Sequence, residues 1–420
     1  MKSLIINTSD DGGGAAIAAM NLHRALLTAG VDSQVMVGAK STSDARLHLM
    51  PGGRRIVDRA ASRIARRVGL NDVGTTSSFR LETQQAFRSA DVVNLHNLHG
   101  GYFNYLSVPA IARRKPVVLT LHDMWSFTGH CVYSFDCERW RTGCGRCPYP
   151  DTYPAVRRDA TRWEWKLKRR SFVRPSIRVV AISRWMEEQI GRSFLGELPV
   201  HHIPNGIDTE LYRPLDREQC RNALNLDRDA LVVAFFAADL SDPRKGFDLL
   251  SASLNRLPET LRREVIVLTV GGGGVSGDLP VHVRSLGFVA DASQKALAYS
   301  AADVLALPSR IDNLPVVLQE SFACGTPAVA FDVGGVADLV RPGETGSLAP
   351  PGDVNAFADE LAALLADRTR LAKYREWCRR VATDEYSLPV QGRRYREVFE
   401  EALRDFHEKN QAQVPVRTSR

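Results

Sequence analysis

The chain has 420 residues, too many for one compact core, so two domains are expected. Its composition, 44% hydrophobic and 25% charged, is that of a globular protein, and no apolar run reaches the about 18 residues that cross a bilayer. A formal charge of +7 fits an anionic small molecule, an anionic membrane surface or nucleic acid, and does not choose among them. No aromatic pattern of a nucleic-acid module accompanies the arginines, so nucleic acid is not expected as a partner.

The first strand, SLIINTS, runs directly into Asp10, Asp11, Gly12, Gly13 and Gly14, which open the helix AAIAAMNLHRALLTAG. The apolar start is too short for a signal peptide, so the expected location is the cytoplasm. Glycines before a helix let a phosphate or sugar approach bare backbone, although a tight turn without ligand has the same composition. The dinucleotide pattern G-x-G-x-x-G is not matched, because Ile17 stands three places beyond Gly14. Next, PGGRRIVDRAASRIARRVG (51–69) can place Ile56, Val57, Ala60, Ile64 and Val68 on one helical face. Arg54, Arg59, Arg63, Arg66 and Arg67 flank that face. Such a helix suits anionic lipid at the inner face of the cytoplasmic membrane, or simply covers a core edge.

Apolar runs at SQVMVGA, DVVNLH, PVVLTLHD and RVVAIS alternate with helical stretches such as 157–172 and 184–194. That alternation means a parallel sheet covered on both faces. His122 and Asp123 fall at the carboxyl end of one such strand, where parallel sheets deliver active residues. Neutral or protonated, His122 can donate a hydrogen bond to a sugar hydroxyl or a phosphate. Then Cys131, Cys137, Cys144 and Cys147 gather within about 17 residues, a spacing that suggests a structural zinc ion or a reduced, metal-free cluster. Trp125, Phe127, Tyr133 and Trp140 surround this insertion and read equally as an acceptor groove or as packing.

Around residue 200 the turn-rich HHIPNGIDTELYRP marks a junction, and the alternation restarts with LVVAFFAA, KGFDLLSASLNRL, VIVLTVGG, DVLALPS and PAVAF. Asp227 and Asp229 read as a turn. Arg244 and Lys245, in the loop after the first of these strands, suit a diphosphate leaving group. In SRIDNLPVVLQESFACGTPAVAFDVGG, Asp312 follows a strand, Pro315 opens a helix, and Glu320 lies within it. Glu320 can accept two hydrogen bonds from ribose hydroxyls. Asp312 and the backbone N–H groups after it can hold sugar hydroxyls, with Gly334 and Gly335 close by. Carboxylates for hydroxyls, cations for phosphates and glycines for close approach describe a nucleotide-sugar site. Helices at 353–366, 368–382 and 390–408 finish the chain before a polar tail.

Through DDGGGAA, TLHDMW, IPNGIDTELYRP, DPRKGFDLL and SRIDNLPVVLQESFACGTPAVAFDVGG, the chain resembles family-4 retaining glycosyltransferases of the GT-B fold over nearly its whole length. Within them it is most similar to bacterial exopolysaccharide enzymes of the colanic-acid type. The resemblance implies an α/β protein with two Rossmann-like domains facing each other across a cleft. It divides the chain into 1–199, with a four-cysteine insertion at 129–150; 200–385, which binds the nucleotide sugar; a helix at 386–408 crossing back to the first domain; and a flexible tail at 409–420. It implies that Lys245 with Arg244 binds the donor diphosphate, that Glu320 holds the ribose, and that Asp312 replaces the first glutamate of the family's E-x7-E. The loop Asp312, Asn313, Leu314, Pro315 would face the donor sugar, and His122 would contact the sugar or phosphate. Gly13 and Gly14 would approach the diphosphate, and Asn205, Gly206 and Asp208 would form the hinge.

Two departures stand out: aspartate is about 1.5 Å shorter in reach than glutamate, and Ala237, Ala238 and Asp239 stand where many members carry an arginine. The expected activity is transfer from a UDP- or GDP-sugar to a hydroxyl of a lipid-linked oligosaccharide, with retention and without a catalytic metal. A non-catalytic nucleotide-sugar-binding protein is the alternative. A dinucleotide-dependent oxidoreductase is a remoter one.

Overall fold

The computed structural model describes residues 1–51, 55–274 and 279–412. Arg54 and residues 413–420 of the expected tail lie outside them. The chain divides into two units: Met1–Pro204 with the segment from Gln391 onward, and Asn205–Val390.

The first unit holds a seven-stranded sheet built from β1 (Lys2–Ser9), β2 (Asp32–Ala39), β3 (Leu47–Leu49), β4 (Val92–Leu95), β5 (Val117–Leu121), β6 (Ile177–Ala181) and β7 (Val200–His202). Their order is β3-β2-β1-β4-β5-β6-β7, and every pairing is parallel. The strands feed both faces alternately. Leu4, Ile6, Val93, Leu95 and Leu119 enter one core, and Ile5, Val92, Val118 and Val180 enter the other. The second core is closed by Tyr395, Val398, Phe399 and Ala402 of the last helix, Leu388–Ala412. On the same face, helix Gly14–Thr28 buries Ala19, Leu22 and Leu26.

In the second unit, β8 (Leu231–Asp239), β9 (Val265–Gly272), β10 (His282–Ser285), β11 (Val304–Leu307), β12 (Ala328–Phe331) and β13 (Gly346–Ala349) form a parallel sheet in the order β10-β9-β8-β11-β12-β13. This is the 3-2-1-4-5-6 order of the doubly wound fold. The strands β11 and β12 are buried throughout, which is why their sequences are unbroken apolar runs.

The boundary expected at 199/200 falls instead at 204/205, because Val200–His202 completes the first sheet beside β6. At the other end, residues 386–390 stay with the second unit. Ile207 N–H donates to the Tyr386 carbonyl at 2.7 Å, and Ile207 bridges Ser387. No helix among the described residues is long and apolar enough to cross a membrane.

Candidate active site

In a doubly wound sheet, ligands bind beyond the carboxyl ends of the strands where the winding reverses. In the second unit that point lies between β8 and β11, and it brings together the two loops that hold the candidate residues. After β8, Asp242 caps the short turn Pro243–Lys245, accepting from Arg244 N–H at 2.9 Å and pairing with the Arg244 guanidinium at 2.7 Å. After β11, Asp312 Oδ2 lies 2.6 Å from Lys245 Nζ. So the shorter carboxylate still reaches the lysine. The two residues singled out from distant parts of the sequence form one ion pair.

Arg310 locks the loops to each other, a role the sequence did not suggest. Its N–H donates to the Arg244 carbonyl at 2.8 Å, and its guanidinium donates to the Pro243 carbonyl at 2.6 Å. The same guanidinium makes a bidentate pair with Asp248 at 2.9 and 2.6 Å. Gly334 and Gly335 serve the backbone of Asp312. Gly335 N–H donates to its carbonyl at 3.1 Å. Gly334 has φ +55°, and a Cβ there would stand 1.9 Å from the Asp312 oxygen. Gly334→Ala should therefore displace Asp312 and lower kcat/KM by at least about 10²-fold, since small misplacements at a site cost that much. Steady-state kinetics beside an unchanged circular-dichroism spectrum would check this.

Of the loop expected to face the sugar, Asn313, Leu314 and Pro315 are buried, and Pro315 is the N-cap of helix Val316–Ala323. Leu318 N–H in the helix's first turn donates to the Pro315 carbonyl at 3.1 Å, and Asp312 is the loop's partly exposed side chain. Glu320, expected to meet ribose hydroxyls, here meets protein hydroxyls. It is 3% exposed, and its two oxygens accept from Tyr212 OH at 2.9 Å and Tyr299 OH at 2.8 Å. Burial raises its pKa, opposed by Lys295 and the two hydroxyls. Asn205 is buried and its carbonyl accepts from Gln319 Nε2 at 2.5 Å, while Asp208 caps a turn by accepting from Glu210 and Leu211 N–H. Asp227 likewise accepts from Asp229 N–H at 2.9 Å, the turn expected there.

In the first unit, Gly13 is the N-cap of helix Gly14–Thr28 with φ +85°, and a Cβ placed on it would meet nothing within 4 Å. The backbone there is exposed and open. Asp10 accepts from the N–H and hydroxyl groups of Ser41 and Thr42, which ties this loop to the end of β2.

His122, at the end of β5, meets His96 edge to edge with ring centroids 5.1 Å apart, and its Nε2 lies 2.8 Å from His96 Nδ1. Burial lowers its pKa to about 4, against the pull of Asp123. Asp123 is itself engaged, with Oδ2 3.0 Å from His99 Nε2 and Oδ1 accepting from Trp125 N–H. His96 and His99 stand in NLHNLHGG, after β4, and sequence reading passed over both.

The loop after Asp123 is fixed from below by Lys168. Its buried Nζ donates to the carbonyls of Trp125 at 2.8 Å and Thr128 at 3.2 Å, and stands 3.7 Å from the Trp125 ring centroid. Beside it, Glu164 accepts from Tyr105 OH at 2.6 Å and from Asn71 N–H. Burial pushes Glu164 up from 4.5 to about 7, with Lys168 opposing. Between those values the folded carboxyl keeps a proton that the unfolded chain has released. Stability should therefore fall as pH rises through that window, by about 3 kcal/mol from this group. Urea unfolding at about pH 5 and pH 8 checks this, and Glu164→Gln should flatten the slope.

Trp125, Phe127, Trp140 and Tyr133 are buried and belong to packing, which removes the groove reading. Among the described residues no three His, Cys, Asp or Glu side chains are placed to share one metal ion, so the structure lends the zinc expectation no support. Two of the thiols have protein partners. Cys144 Sγ accepts from Gly129 N–H at 3.2 Å, and Cys147 Sγ lies 3.2 Å from His130 Nε2. Burial pushes Cys131 to about 11 and Cys144 to about 12 in the metal-free protein, and a zinc ion binding there would release those protons.

Residues 12–211 match the domain model described as Glycosyltransferase Family 4, and residues 231–367 the one described as Glycosyl transferases group 1. Taken together with the two doubly wound sheets, this places the chain among the family 4/group 1 glycosyltransferases of GT-B fold. A D-inositol 3-phosphate glycosyltransferase of Kribbella flavida is 38% identical over 185 residues, 40% of this chain and 43% of that one. One from Xylanimonas cellulosilytica is 28% identical over 86% of each chain. The putative colanic acid biosynthesis glycosyl transferase WcaC of Escherichia coli is 26% identical over 79% of this chain and 83% of its own. Among solved structures, the sucrose-phosphate synthase of Thermosynechococcus elongatus superposes with TM-score 0.70 at 20% identity, covering 95% of this chain and 99% of that one. Anabaena Alr3699/HepE in complex with UDP gives 0.67 at 19%, covering 96% and 100%.

Proposed function

We propose that this glycosyltransferase moves a sugar from a UDP- or GDP-sugar to a hydroxyl of a lipid-linked oligosaccharide in surface-polysaccharide synthesis, with retention. The observation that carries the reading is the Lys245–Asp312 pair at the winding reversal of the second sheet, held by Arg310 and the glycines at 334 and 335. Likeness to the colanic acid protein and to a structure holding UDP supports it. In the proposed reaction Lys245 and Arg244 take up the charge that gathers on the diphosphate as the anomeric C–O bond breaks. Asp312 and the amides after it hold the sugar. The acceptor oxygen bonds the anomeric carbon on the face the diphosphate leaves, and a phosphate oxygen takes its proton. These cations do the charge work, so no divalent metal enters the proposal. Pro204 and the Asn205–Asp208 turn form the proposed hinge.

Incubation with UDP-, GDP-, ADP- and dTDP-sugars and an acceptor extract, following nucleoside diphosphate release, tests the reading. Release from one donor, with an α-to-α or β-to-β product, is expected. An inverted product would remove retention, and tight binding without release would favour the non-catalytic alternative.

Contact with an anionic membrane is part of the proposal. Helix Arg55–Arg67 is anchored through Asp58, which accepts from Thr76 N–H at 2.7 Å and Ser77 OH at 2.8 Å. It leaves Ile56 83% and Ile64 64% exposed among exposed arginines. The native protein should float with anionic vesicles, and the double variant Ile56→Asp/Ile64→Asp should not. Failure of the native protein to float would remove this contact.

A further inference from the structure

A buried polar chain leads from the last helix to His122, and a single backbone carbonyl fixes the direction of its hydrogen bonds. Asn94 Nδ2 lies 3.0 Å from the Val118 carbonyl, which can only accept, so the amide NH2 must face that way. The same NH2 donates to Thr120 Oγ1 at 2.9 Å, and Thr120 shares a 3.0 Å hydrogen bond with Tyr395 OH on the last helix. Asn94 Oδ1 is therefore the atom 2.8 Å from His96 Nε2, and it must accept. His96 carries its proton on Nε2. Its Nδ1, bare in a neutral ring, must accept from His122 Nε2 at 2.8 Å.

We propose that Asn94 and His96 are positioning residues that hold His122 as the tautomer protonated on Nε2, which leaves Nδ1 with a lone pair and no proton. A sugar hydroxyl can donate to that lone pair, and an unprotonated phosphate oxygen cannot. This narrows the choice between sugar and phosphate that the sequence left open. Only this ligand assignment rests on the donor-site reading; the tautomer does not. Burial supports the neutral state of both rings by lowering His96 well below its ordinary value and His122 to about 4. The titratable groups around His122 are His96, His99 and Asp123, and only Asp123 draws its pKa upward.

Nitrogen-15 NMR of histidine-labelled full-length protein tests the assignment, with His122 signals identified by their loss in His122→Gln. Between about pH 6 and 8, the span where an ordinary imidazole titrates, His122 should show N–H at Nε2 and a bare Nδ1. His96→Gln can give its amide oxygen to His122 and its NH2 to Asn94, so it should keep the pattern and turn over within about threefold of native. His96→Leu removes the acceptor. It should shift His122 toward the Nδ1–H form and lower kcat at least tenfold, with a smaller change in donor KM. A proton on Nδ1 in the native protein overturns the proposal, whatever the turnover. Unchanged kcat in His96→Leu with the tautomer lost overturns the positioning role. Should that variant fail to fold, the native and glutamine spectra decide. Failure of the donor-site reading would look different: the expected native tautomer with no turnover of any nucleotide sugar.

Discussion

Lys245→Ala should lower kcat/KM for the donor by about 10²–10³-fold, the loss seen when one charge-stabilising group leaves a transition state. The structure adds a second component. Lys245 and Asp312 are paired at 2.6 Å, with 24% and 14% of their side chains exposed. Removing the lysine thus leaves a half-buried carboxylate where a diphosphate should sit. The remaining anion repels the ligand, so the single variant should lose donor affinity as well as rate. Adding Asp312→Asn to Lys245→Ala should then recover about tenfold in affinity while kcat stays low, because residues in one ion pair do not act independently. Calorimetric titration of the four proteins completes the cycle. Simple additivity would mean that the pair seen here is not the arrangement a donor meets.

Glu320→Ala should be felt first as a loss of stability. Its carboxylate is buried and receives the hydroxyls of Tyr212 and Tyr299, and Tyr299 in turn stacks on Phe236 with centroids 3.9 Å apart. The alanine leaves two buried hydroxyls without an acceptor and a cavity where the side chain stood, a cost of about 3–4 kcal/mol. For a unit of this size that lowers the melting temperature of its transition by roughly 6–16 °C. Glu320→Gln keeps the shape and one good acceptor, so about 1 kcal/mol is expected. Scanning calorimetry of both variants checks the claim. If Glu320→Ala melts like the native protein yet loses donor binding, the carboxylate holds ligand, not the tyrosines.

Much of the fold was legible because buried parallel strands are written as apolar runs: Val117–Leu121, Val304–Leu307 and Ala328–Phe331 carry no polar residue other than Thr120. The strands not anticipated, Leu47–Leu49, Val200–His202, His282–Ser285 and Gly346–Ala349, are the four sheet edges. Edge strands are short and partly polar, so they leave little periodicity to read. The same division holds at the site. Lys245 and Asp312 were legible because charged residues at the carboxyl ends of apolar strands have few structural uses. Their supports were not. Arg310 answers Asp248 across 62 residues, and Glu320 answers Tyr212 across 108, and spacing alone does not pair such residues. Glycines 334 and 335 were recognised as marking a close approach, but what approaches is the carbonyl of Asp312. The choice between zinc and a reduced cluster at the four cysteines was not legible, because spacing fixes neither side-chain direction nor charge state.

The central claim is that the second unit holds a nucleoside diphosphate through Lys245. Calorimetric titration of UDP and of GDP into the native protein and into Lys245→Ala tests it most directly. One nucleotide should bind at micromolar concentration and lose at least tenfold in the variant. Binding that Lys245→Ala leaves unchanged, or no binding of either nucleotide, would contradict it.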